Sequence, residues 1–177
     1  MVLAEFLKKL IIGRAFKAEE GRVTLLGKYD VTLFESKSLA FIIQKTFEEL
    51  GEKKAFDLWL KASEIAIKNA IKAFNLQPSS FALEKIAPMM DFYGLGKFSV
   101  ESYSEKKGKK IYLLKIENSP LTEYAKQEWG PSSKVCKMIE ANLVVALRKA
   151  YGKKPKIKET SCYTKGAPYC TFRIEIG

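Results

Sequence analysis

Apolar positions three and four residues apart open the chain. Val2, Leu3, Phe6, Leu7, Leu10 and Ile11 share one face, with Glu5, Lys8 and Lys9 opposite, which is amphipathic helix spacing. The embedded charges break the uniform apolar core of a signal peptide. Residues 1–21 are therefore read as a helical arm that docks or dimerises, and residues 22–177 as a single domain. Membrane contact through this arm is not expected, because its basic face is short. After Gly21 come two short β-like runs, Arg22–Leu26 and Tyr29–Phe34, joined at Gly27-Lys28. Ser36 or Ser38 caps a helix from about Leu39 to Leu50, closed by Gly51. A second helix runs from about Lys53 to Phe74, stopped by Asn75 and Pro78. Ser79 and Ser80 begin a third, interrupted at Pro88, with Gly94 and Gly96 ending that region.

The pattern then changes. Phe98–Tyr103 and Lys110–Glu117 alternate as strands around a lysine-rich tip. A polar stretch from Asn118 to Glu128 follows. Pro131 with Ser132 or Ser133 marks a helix start, and Val135–Ala150 supplies its periodicity before Gly152. Lys156–Tyr163 and Tyr169–Ile176 read as the last strands. The fold class is α+β: N-terminal helices packed on a C-terminal antiparallel sheet, with a long helix before the last hairpin.

Composition narrows the chemistry. Histidine is absent, which excludes Ser-His-Asp and Cys-His catalysis and the common His-based zinc sites. The net charge of +11 is carried by 27 Lys and 4 Arg; base reading favours arginine, so no specific nucleic-acid binding is expected. With 17 Glu to 3 Asp and few amides, the balance is that of a heat-adapted protein. An odd count of three cysteines points to the cytoplasm and to thiolate chemistry.

All three cysteines lie in the final third. If Tyr163 faces Tyr169, Cys162 faces Cys170 across the last hairpin, a spacing suited to two sulfurs gripping one metal. Cys136, early in the last helix, can fold back to join them. Glu159 offers an oxygen ligand, but its odd offset from Cys162 puts it on the other face of a regular strand, so a bulge must re-aim it. Spacing alone leaves two readings open: a sulfur-rich metal site, or one buried cysteine beside a hairpin disulfide.

The run Glu159-x2-Cys162-x7-Cys170, with Gly166 in its loop and Cys136 upstream, resembles the C-terminal signature of the 4-vinyl-reductase domain family. Asn118-Ser119 and Gly130-Pro131-Ser132 also fit its pattern. The resemblance covers about residues 118–176. It implies an archaeal stand-alone domain of the small-molecule or hydrocarbon-binding type, related in fold to trafficking-complex (TRAPP) subunits and haem–nitric-oxide-binding sensors. It also implies zinc held by Cys136, Glu159, Cys162 and Cys170. The aromatic sensors of the family hold phenol with a His and a Trp; this chain has no His, and Leu113–Glu117 precedes Asn118.

An aromatic and methionine-rich stretch, Phe81 to Tyr103, is expected to wall a pocket against the C-terminal sheet, with the zinc hairpin as a rigid side. Phe92, Tyr93 and Trp129 are the candidate ligand-binding residues. No acid and base face a common pocket in the pattern, and there is no Walker loop or dinucleotide fingerprint. The reading is a homodimeric binding or sensor domain for a small apolar or aromatic molecule, without catalysis of its own. The rivals are a dimeric interaction scaffold like the trafficking-complex subunits and a reductase-pathway accessory protein.

Overall fold

The computed structural model describes residues 15–19, 21–32, 34–106 and 108–177, apart from the side chains at 88, 89 and 92. The expected amphipathic face, Val2 to Ile11, lies outside the described residues. Strands β1 (Phe16–Glu19), β2 (Arg22–Leu25) and β3 (Tyr29–Val31) form an antiparallel meander. Phe16–Glu19 are thus strand and not helix, and the first hairpin crosses the expected boundary at residues 21/22. Phe16 pairs with Leu25 and Ala18 with Val23, a period of two that overrides the helical reading at this end of the arm.

Helix α1 (Ser36–Phe74) contains both expected helices, joined at Gly51 with φ 75° and ψ 161°. That conformation is essentially restricted to glycine. Ala40, Ile43 and Phe47 bury one stripe of the first half. Helix α2 (Leu83–Phe92) runs through Pro88, where an interruption was expected. The proline removes one main-chain bond, and the buried neighbours Ile86 and Ala87 hold the helix across it.

Strands β4 (Lys97–Lys106) and β5 (Lys109–Glu117) form the central hairpin. The polar stretch after it is helix α3 (Pro120–Trp129), which hydropathy missed. Only Leu121, Thr122 and Ala125 are buried there, too few to show a period; Pro120 in the first turn was the usable signal. Helix α4 (Val135–Tyr151) is buried on nearly every side. Strands β6 (Lys156–Ser161) and β7 (Cys170–Ile176) complete a four-stranded antiparallel sheet of order β4-β5-β7-β6.

Alternation decides the inner face of this sheet. Tyr112, Leu114 and Ile116 of β5 stand opposite Ile174, Phe172 and Cys170 of β7, and all six are buried. They share one core with Ile139, Leu143 and Leu147 of α4. Each such aliphatic or aromatic side chain contributes about 1.5–3 kcal/mol on burial. Cys170 therefore belongs to the core face before any chemistry is considered.

Candidate functional site

The thiol cluster is assembled by three local features. Ser161 pairs with Thr171, so the register brings Cys162 and Cys170 together as expected. Between Glu159 and Ser161 the register shifts by one residue. This bulge at Thr160 places Glu159 opposite Phe172 and so on the inner face, resolving the odd offset from Cys162. Hydroxyls hold the bulge: Thr160 and Ser161 lie 2.6 and 2.8 Å from Thr171 Oγ1. Cys136 arrives from the first turn of α4. The buried Gln44 of α1 fixes that helix start, its Oε1 accepting from the Lys134 N–H at 2.8 Å. Gln44 had no sequence signal beyond a polar residue on an apolar stripe.

All three thiols are free and buried. Their sulfurs form a nearly equilateral triangle: 3.7 Å from Cys136 to Cys162, 3.6 Å from Cys136 to Cys170 and 3.8 Å from Cys162 to Cys170. Sulfurs on a tetrahedral ion at about 2.3 Å each stand about 3.8 Å apart, so the triangle fits a metal and is far too wide for a disulfide. The three cysteines lie close enough together to bind a metal ion.

The electrostatics match. Bonds from Cys136 and Cys170, then from the Thr164 hydroxyl at 3.1 Å, hold Cys162 well below the usual thiol range. Cys136 is pushed well above it by its bonds to Cys162 and Cys170 and by burial. Cys170 is pushed up to about 12; a bond from Cys136 acts in the opposite direction, but its bond to Cys162 and burial outweigh it. Without a cation the cluster concentrates its negative charge on Cys162.

Glu159 stands beside this cluster and outside the sulfur triangle. Its Oε2 accepts from Lys165 Nζ at 2.7 Å, while Oε1 is buried with no hydrogen-bond partner. Burial raises its pKa; the Lys165 bond lowers it, and Cys162 raises it further. An unpaired carboxylate oxygen beside three thiols is what a cation would satisfy.

The expected pocket is displaced. An apolar cleft of about 260 Å³ lies between the second half of α1, α4 and the Phe81–Leu95 segment. Ala66, Ile67, Phe81, Ile86 and Met90 wall it, with Tyr29 and Tyr93 among its lining. The thiol-bearing hairpin supplies none of its walls. Tyr93 is in the cleft, and Phe92 lies one residue before it with its side chain undescribed. Trp129 lies elsewhere, edge-on to Tyr124 with ring centroids 5.6 Å apart. The pocket turned to the helices because Phe172, Ile174 and Leu114 leave the sheet face solidly packed. Ser63 and Asn142 also line the cleft; neither carries a sequence pattern that would have singled it out. No helix among the described residues is long and apolar enough to cross a membrane.

A helical layer over a four-stranded antiparallel sheet, closed by a thiol-clustered hairpin, defines a small α+β domain with a metal-competent cluster and an apolar cleft. Residues 113–176 match the family model of the 4-vinyl-reductase domain, and the chain carries that domain there. Among solved structures the fold is similar to the phenol-responsive sensory domain of the transcription activator PoxR with phenol, at 18% identity and TM-score 0.70, covering 98% of this chain and 89% of that one. It is similar to trafficking protein particle complex subunit 3 from Naegleria fowleri covalently bound to palmitic acid, at 14% identity and TM-score 0.58, over 78% and 93% of the two chains. A vinyl-4-reductase family protein from Methanocaldococcus jannaschii aligns at 12% identity and TM-score 0.53, over 83% and 85%. No curated protein matches the sequence. At these identities the likeness is one of fold.

Proposed function

We propose that this chain is a zinc-stabilised domain that binds a small apolar or aromatic molecule, has no catalysis of its own, and works as a cytoplasmic homodimer. The observation that carries the reading is the cleft. On a chain of net charge +11 its walls are entirely uncharged and mostly apolar, the lining that apolar ligands require. The folds of the PoxR sensory domain with phenol and the trafficking subunit bound to palmitic acid support it by likeness. Tyr93 is the ligand contact this reading keeps from the sequence.

Cys136, Glu159, Cys162 and Cys170 would hold the zinc, with Glu159 using the oxygen that has no partner. Sulfur-dominated ligation favours zinc over magnesium or calcium. Bound there, it supplies folding energy and stiffness by tying α4 to the last hairpin. The exposed apolar side chains Phe41, Ile42, Leu58 and Ile65 along α1 favour a second reading, a dimeric interaction scaffold.

The test has two arms. Native mass spectrometry of protein purified without chelator should find one zinc per chain; zinc-free protein with a Cys162–Cys170 disulfide would sink the metal assignment. A thermal-shift screen of phenols, fatty acids, isoprenoids and porphyrin-like compounds should find a class that raises Tm with the logarithm of its concentration above Kd. Ala70→Trp, which fills the cleft, should abolish the shift. If no class shifts the native protein, the binding reading fails and the scaffold reading replaces it.

A further inference from the structure

Within this apolar cleft lies one polar feature. Ser63 is 5% exposed, and its hydroxyl is hydrogen-bonded to Asn142 Oδ1 and lies 2.8 Å from the Trp59 carbonyl. Asn142 Nδ2 donates to Met138 Sδ at 2.9 Å. A primary amide can donate two bonds and accept about two. Ser63 and Met138 use one of each, which leaves one N–H and one lone pair of Asn142 on the cleft wall. Turning the amide over exchanges the two roles and leaves the same remainder.

We propose that the cleft selects a neutral molecule of about one or two rings carrying a hydroxyl, seated on the Asn142–Ser63 pair; this rests on the binding reading above. Three observations carry it. The volume of about 260 Å³ is below the usual range for drug-sized ligands and above the ~150 Å³ cavity that holds benzene. No charged side chain lines the cleft, so an ionised ligand would lose its hydration without a partner. A hydroxyl both donates and accepts, so one atom meets both remaining capacities of Asn142. A purely apolar isostere would strip water from that amide and leave it unpaired, which is how a polar site rejects an analogue lacking the group.

The probes are 2-naphthol, its isostere 2-methylnaphthalene and the anion 2-naphthoate, titrated at neutral pH into the native protein and into Ser63→Ala, Asn142→Leu and Ala70→Trp. The expected order is naphthol first, about tenfold tighter than methylnaphthalene, with naphthoate weakest despite the basic surface. Ser63→Ala and Asn142→Leu should remove that tenfold preference and leave methylnaphthalene binding unchanged. Ser63→Ala deletes a single atom, so it remains informative if Asn142→Leu does not fold. Equal binding of naphthol and methylnaphthalene, lost in Ala70→Trp, would overturn the hydroxyl selection and leave the cleft reading standing. Tightest binding by naphthoate, insensitive to Ala70→Trp, would place binding on the lysine surface and overturn the proposal. Failure of all three probes would remove both it and the cleft reading for molecules of this size.

Discussion

Tyr112 shows how one buried side chain sets a response of the whole protein. Its ring is 1% exposed, and its hydroxyl lies 3.3 Å from that of Tyr151. Burial first, then the bonds with Tyr151 and Glu84, hold its phenol protonated well above the usual tyrosine range. An unfolded tyrosine loses its proton near pH 10. Above that pH the unfolded state therefore binds fewer protons than the folded one, and stability falls as pH rises. Below it the contribution is fully present. The slope from this one group is at most about 1.4 kcal/mol per pH unit. Tyr112→Phe should be less stable near neutrality, by about 1 kcal/mol for the lost bond, yet lose less between about pH 9 and about pH 11. Urea midpoints at the two pH values measure it; parallel losses in native protein and variant would contradict the assignment.

Breaks in regular elements place the chemistry. The bulge at Thr160 turns Glu159 to the inner face, and the kink at Gly51 lets one half of α1 deliver Gln44 to the start of α4 while the other half lines the cleft. A Cβ at Gly51 would touch nothing within 4 Å, so a substitution there tests backbone conformation alone. Gly51→Ala should lower stability by about 1–3 kcal/mol, read from the urea midpoint. An unchanged midpoint would mean the joint tolerates ordinary helical geometry. The sequence announced this break through its glycine. It announced the bulge only indirectly, through two candidate ligands on opposite strand faces. Helix α3 gave no periodic signal, because three small or medium side chains were enough to seat it against its neighbours.

For the molecule as a whole, the outer face of α1 sets the state of association. Leu58 and Ile65 are 49% and 62% exposed and stand seven residues apart, two turns along one face. Lys54, Lys61 and Lys68 flank them in the sequence. Two copies meeting on this stripe would bury apolar surface against like charge. Light scattering should give twice the 20.0 kDa of one chain at micromolar concentration, with association strengthening as salt screens the lysines. Leu58→Lys with Ile65→Lys should return the monomer. A monomeric native protein at high salt would contradict the dimer.

Features that depend on near neighbours were legible in the unfolded chain: the α+β order of elements, the inner face of each strand, the register of the last hairpin and the clustering of Cys162 with Cys170. These follow from periods of two and 3.6 and from turn chemistry, which act over a few residues. The thiol and carboxylate residues could be named in advance because their spacing is itself a motif. The cleft came from packing. Tyr29, Ser63, Phe81, Tyr93 and Asn142 belong to five separate stretches, and no local pattern records that they meet. Packing also turned Trp129 to Tyr124 and filled the sheet side. Space left over by packing depends on every side chain that fills the rest, so a void is legible only once the whole chain has folded.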